Sequence, residues 1–98
     1  MSVSQDEARR VALEHIRGLE TGVSSELVLL ENETVEHDFG WVFFYNTARF
    51  AETRDPLSGL TGNAPLAVTR VDGRLHVTGT ALPLEHYLAS FKHYQPRY

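Results

Sequence analysis

The chain has 98 residues, of which 42% are hydrophobic and 22% charged, with a formal net charge of −4 and no cysteine. That size predicts a single domain over residues 1–98 with a modest core, too small for a large enclosed active-site cavity. The composition excludes disulfides and thiol catalysis and argues against nonspecific nucleic-acid binding, and no apolar run approaches the ~18 residues that span a bilayer.

The chain opens with Ser4-Gln5-Asp6-Glu7, which has the form of a capping box, and Val3 and Ala8 stand where a hydrophobic staple belongs. Ala8, Val11, Ala12, Ile16 and Leu19 then recur at one-face helical spacing. They predict an amphipathic helix over about Gln5 to Arg17, with Gly18 as its terminator. This N-terminal segment, with Asp6, Glu7, Arg9 and Arg10, lacks the basic-then-apolar order of an export signal. A cytoplasmic location is therefore expected.

Glu26 to Val35, rich in Leu and Val and acidic in its second half, reads as a strand. His37-Asp38 reads as a turn into a second strand from Phe39 to Thr47. In that strand Trp41, Phe43 and Tyr45 share one face and Val42 and Phe44 the other. Two apolar faces predict a central strand covered on both sides. Trp41 and its aromatic neighbours are accordingly read as core. Arg49 to Ala64 carries the turn signals Asp55-Pro56, Ser58-Gly59 and Gly62-Asn63 and is expected to be an irregular loop.

Two further strands, Pro65 to Val71 and Arg74 to Thr78, flank Asp72-Gly73. A type I′ turn at Asp-Gly would set Arg70 opposite Leu75, and Val68 opposite Val77. Leu66, Val68, Leu75 and Val77 then face the core, while Thr69, His76 and Thr78 form a more polar side that is expected to be more exposed. Pro83 suits a first helical position, followed by Leu84, Tyr87, Leu88 and Phe91 at helical spacing, and the helix ends before Pro96. The expected fold is α+β: a four-stranded antiparallel sheet with an N-terminal and a C-terminal amphipathic helix.

No catalytic or metal motif emerges. His86 and His93 lie seven apart, two turns of helix, and no HExxH, CxxC or HxH is present. The serines lack a nucleophile-elbow context, and the glycines do not form a phosphate-binding loop. His37 and Asp38 are better read as turn residues than as a dyad, and His15 as a partly buried helix residue. No cofactor or metal is expected, and the protein is expected to be no enzyme. The distribution of charge is more informative. No Lys or Arg occurs between Gly18 and Ala48, a stretch that holds Glu20, Glu26, Glu31, Glu33, Glu36 and Asp38. Such a stretch is either a solvated face or a surface that steers a basic partner.

The string Leu29-Leu-Glu-Asn-Glu-Thr-Val-Glu-His-Asp-Phe-Gly-Trp-Val-Phe-Phe-Tyr-Asn46 resembles the YrhB-type family, also called immunity protein 35, of bacterial toxin systems. Within it, the matching residues are Asp38-x-Gly40-Trp41-x-Phe43-Phe44-Tyr45. Gly62-Asn63-x-Pro65-Leu66, Asp72-Gly73, His76-Val77-x-Gly79-Thr80 and Tyr87-Leu88 extend the resemblance over nearly the whole chain, with Arg49 to Leu60 as the main departure. The resemblance implies a cytoplasmic immunity protein that neutralises a cognate toxin of a polymorphic toxin system by stoichiometric binding. A small chaperone-like holdase role for unfolded clients is the alternative. Gly40, Trp41, Phe43, Gly62, Asn63, Pro65, Asp72, Gly73 and Gly79 would then preserve the scaffold. Recognition of a protein partner, with neither nucleic acid nor membrane involved, would fall to Glu31, Glu33, Glu36 and Asp38 together with Arg49, Glu52, Arg54 and Asp55.

Overall fold

The computed structural model describes residues 2–20, 26–55, 59, 64–79 and 84–89. The capping box forms as expected: the Glu7 amide donates to Ser4 Oγ at 3.2 Å, and the Glu7 carboxylate accepts from the Ser4 amide at 3.3 Å. From it runs α1, Gln5–Leu19, with Ala8, Ala12 and Ile16 fully buried. Gly18 does not end this helix. The chain continues through it to a C-cap at Glu20 that keeps right-handed dihedrals. Side chains take over the terminating role: the Glu20 carboxylate accepts from the Leu27 amide at 2.6 Å and from Arg17 at 2.7 Å.

The predicted first strand is broken in two. β1 (Leu27–Leu29) and β2 (Val35–His37) are separated by a 3-10 turn at Glu31–Glu33. Its companion is divided at Phe44 into β3 (Gly40–Phe43) and β4 (Tyr45–Thr47). β1 pairs with β4 and β2 with β3, both antiparallel. Leu30 N–H to Phe44 C=O, at 2.8 Å, carries the ladder across the break. Two carboxylates and an Asn have poor strand propensity, and coiling them into the 3-10 turn keeps Glu31 and Glu33 off a shared strand face. The sheet of four is therefore ordered β2-β3-β5-β6, with β1-β4 as a separate two-stranded ribbon. The α+β class holds; the strand count is larger than expected.

A short helix, α2 (Ala48–Thr53), occupies the start of the segment expected to be irregular. Thr47 caps it, its hydroxyl accepting from the Phe50 amide at 3.0 Å. Gly62, Asn63, Pro83, Phe91 and Pro96 lie outside the described residues.

β5 (Leu66–Thr69) and β6 (Leu75–Val77) form the last hairpin, but two residues out of the expected register: Val68 faces Leu75 and Leu66 faces Val77. The loop is four residues, Arg70 to Gly73, closed by Thr69 N–H to Arg74 C=O at 3.0 Å and Gly73 N–H to Thr69 C=O at 2.8 Å. Only Gly73 takes positive φ, +69°, whereas a type I′ turn needs two such residues. Asp72 acts as a cap instead, accepting from the Arg74 amide at 3.1 Å and from the Thr69 hydroxyl. Because the side-chain period of a strand is two, this slip keeps every residue on its expected face.

Both faces of β3 are covered. On one, Trp41 and Phe43 pack with Leu66 and Val68 against Ala8, Ala12 and Ile16 of α1. The two alanines allow the helix backbone close to the sheet. On the other, Val42 and Ala67 pack with Phe39 against Leu88 of α3 (Leu84–Leu88). The expectation that the Thr69-His76-Thr78 side is polar and open therefore fails at its centre, where Ala67 is fully buried. Val77, on the α1 side, is instead 56% exposed, because among the described residues β6 is the last strand of the sheet.

Gly40 begins β3 at φ +152°, and a Cβ there would run into the Val68 carbonyl oxygen and lie 2.9 Å from the Arg70 nitrogen. Since the obstacle is backbone, no rotamer relieves it. Gly40→Ala is expected to separate β3 from β5 and to destabilise by several kcal/mol, on the order of the larger strain effects seen in proteins. Urea unfolding measures this, and an unchanged midpoint would refute the packing described.

Two carboxylates give stability a defined acid dependence. The Leu27 amide and then Arg17 hold Glu20 below its ordinary pKa; the Thr69 hydroxyl and then the Arg74 amide do the same for Asp72. A depressed folded pKa adds stability that is complete above the unfolded value of about 4 and is lost as pH falls through the folded value. The Glu20→Gln, Asp72→Asn variant should thus show a shallower loss of melting temperature between about pH 5 and 2 than the parent. Parallel profiles would contradict it.

Candidate partner-binding surface

Glu31 and Glu33 stand on the 3-10 turn, Glu36 on β2 and Asp38 in the β2–β3 turn; all four are exposed. Arg49 and Glu52 are exposed on α2, with Arg54 as its C-cap and Asp55 following. An ion pair at 3.0 Å between Arg54 and Glu33 joins the two groups of residues. Thus the acidic stretch and the first part of the long segment meet in space, although 21 positions separate this pair.

The acidic stretch is not a bare negative face. Each of its three central glutamates receives an arginine from elsewhere in the chain. Arg9 of α1 grips Glu31, with Nε at 3.0 and 2.8 Å from the two carboxylate oxygens. That hydrogen bond, and then the charge behind it, raises the Arg9 pKa above its ordinary value. Arg54 takes Glu33, and Arg70 takes Glu36 at 2.9 Å. Along Glu31, Glu33 and Glu36 each carboxylate thus stands beside a guanidinium.

Arg54 reaches Glu33 from a left-handed backbone, φ 57°, which no other non-glycine residue among those described adopts. Its guanidinium lies 5.5 Å from the centre of the Phe50 ring. Arg70 does more. Its guanidinium sits 4.5 Å from the centre of the Trp41 ring while donating to Glu36 and, at 2.9 Å, to the His37 carbonyl. Its backbone accepts from Val3 N–H at 2.8 Å and donates to Phe39 C=O at 2.7 Å. One residue thereby ties the N-terminal strap, the β2–β3 hairpin and the β5–β6 turn together over a tryptophan that is 2% exposed.

Among the residues expected to preserve the scaffold, Pro65 and Gly79 have close neighbours in the fold. The Pro65 carbonyl accepts from the Thr78 amide at 3.1 Å and from its hydroxyl at 2.8 Å, and a Cβ on Gly79 would strike the Tyr87 ring. His37 stacks on Phe39, centroids 5.1 Å apart and planes 10° from parallel. Burial pushes the Tyr45 phenol above its ordinary pKa. Among the described residues, no three His, Asp or Glu side chains gather as metal ligands, and no helix is long and apolar enough to cross a membrane.

Arg9 and Arg70 were not among the residues expected at the surface. Arg70 did leave a signal, since strand alternation places it in line with Leu66 and Val68 on the core side. A charged residue there must find partners.

A family model described as Immunity protein 35 matches residues 6–90, from the first turn of α1 to just beyond α3. The chain belongs to that family. Among curated proteins it is similar to the Uncharacterized protein YrhB of Escherichia coli (strain K12), with 42% identity over 53 residues. The matched segment is 54% of this chain and 56% of that relative, so the likeness spans about half the length of each. No solved structure matches the chain. As an immunity protein 35 family member, the chain places the resembling Asp38-Phe-Gly40-Trp41 run in the β2–β3 turn and the start of β3, beneath Arg70.

Arg70→Ala removes the stack on Trp41 and one ion pair and should cost about 1–2 kcal/mol, most of it from the cation–π contact. In an Arg70/Glu36 double-mutant cycle the coupling should be below about 1 kcal/mol, because both groups are solvated. Denaturant unfolding provides both values. A coupling energy equal to the whole Arg70→Ala loss would contradict this division.

Proposed function

We propose that this chain is an immunity protein: it binds a cognate toxin in the cytoplasm as a stoichiometric complex and blocks it without catalysing a reaction. Membership of the immunity protein 35 family is the observation that carries the proposal. The interface proposed is the surface of Glu31, Glu33, Glu36 and Asp38 with Arg49, Glu52, Arg54 and Asp55.

Physical chemistry supports such a role for that surface. Exposed ion pairs are worth about 0–1 kcal/mol each, so Glu31, Glu33 and Glu36 can turn to a partner's cations at little cost, releasing Arg9 and Arg54 to a partner's anions while Arg70 stays stacked on Trp41. Recognition would rest on the pattern of charges, and the net charge of −4 would favour approach of a basic toxin. The holdase alternative finds less support. The exposed large hydrophobics among the described residues are Leu19, Val71 and Val77, single side chains rather than a broad patch.

Co-expression with the product of the adjacent gene tests the reading. The parent should restore growth, and Glu33→Lys with Asp38→Lys should weaken protection at least tenfold in the expression level required, with little change in melting temperature. A harmless neighbouring product, or unprotected cells despite soluble expression, would refute the immunity role. Full protection by the charge-reversed variant would refute the interface alone.

A further inference from the structure

The outer edge of β6 has hydrogen-bonding groups that the described residues of its own sheet leave unused. Thr69 N–H bonds to Arg74 C=O, and Thr78 N–H bonds to Pro65 C=O at 3.1 Å. These bonds, with the register Leu66 to Val77, Ala67 to His76 and Val68 to Leu75, make Arg74, His76 and Thr78 the residues whose main chain turns inward to β5. In an antiparallel ladder the alternate residues turn outward. The N–H and C=O groups of Leu75 and Val77 therefore point away from the sheet, and among the described residues no hydrogen bond reaches them.

Among the described residues, little guards this edge. Natural edge strands are commonly protected by Lys, Pro, a bulge or an inward-pointing charge. Leu75-His76-Val77 has none of these, and Val77 presents a side chain that is 56% exposed.

We propose that β6 is a self-association edge, pairing antiparallel with β6 of a second copy about a twofold axis at His76. The pattern is self-complementary. Leu75 N–H would meet Val77 C=O of the second copy, and Val77 N–H its Leu75 C=O, and the symmetric bonds follow. Directly opposed residues share a face, so the exposed Val77 is covered by Leu75 of the second copy on the α1 side. Arg74 falls opposite Thr78, so no arginine meets an arginine and no carboxylate lies in the pairing. The two sheets of four would join as one of eight, with both α1 helices on the same side. A three-residue edge lies below the ~800 Å² per partner of a stable interface. The association is accordingly weak, with dissociation on the order of 0.1–1 mM.

Sedimentation velocity over a concentration series tests this on the full chain. The parent should shift from monomer toward dimer as concentration rises. Val77→Lys, a change at an exposed side chain, should remain monomeric with unchanged circular dichroism and melting temperature. Val77→Pro gives a second check: the N–H it removes points outward, a position that tolerates proline in edge strands, and dimerisation should again be lost. A parent that stays monomeric throughout would overturn the proposal, as would self-association untouched by both variants. A monomeric parent whose Val77→Lys variant also lost toxin protection would overturn it too, assigning the edge to a strand of the toxin. The sedimentation outcomes do not bear on whether the chain is an immunity protein, which the co-expression experiment decides separately.

Discussion

Strand β3 must be kept dry on both faces, and most of the architecture serves that need. Trp41 and Phe43 require a cover on one side and Val42 on the other. The first is met by α1, whose fully buried Ala8 and Ala12 let it lie close; Leu88 of α3 contributes to the second. Neither layer would be in place without the backbone contact of β3 with β5, which the missing Cβ of Gly40 permits. Coverage of an apolar strand from two sides is the main source of stability open to a chain without disulfides.

Around this core the arginines have a different task. Exposed pairs add little to stability, yet each of three arginines joins a surface element to another element distant in sequence. Arg9 holds the 3-10 turn to α1, Arg54 holds it to α2, and Arg70 holds β2 to the β5–β6 turn. A surface that has to present a defined pattern of charge benefits from such fastening, because a partner then meets side chains that have already lost part of their freedom.

What could be read from the sequence was local. The capping box, the stripe along α1 and the alternation through Trp41 to Tyr45 are periodic signals, and the structure bears them out. The first break in the β pattern was less legible: Glu31-Asn32-Glu33 interrupts a Leu- and Val-rich run, but a strand with a polar end looks the same. α2 was hidden by the turn signals after it, although Thr47 supplies an N-cap. The Asp-Gly turn was recognised but its length was not, since Asp72 closes a longer loop through its side chain. The arginine partners were least legible. Arg9 and Glu31 are 22 positions apart, Arg70 and Glu36 34, and no local pattern reports a pairing that only the topology creates. The acidic region was therefore visible, and its neutralisation was not.

The 3-10 turn at Glu31–Glu33 adds three residues to one strand of a paired ribbon and none to the other. Loss or gain of a single residue there would reverse which side chains of β2 point inward. Its side chains, by contrast, are exposed and can be exchanged without disturbing the pairing on either side. Such a segment is tolerant in composition and rigid in length, a combination that lets one scaffold diversify what it displays while its architecture stays the same.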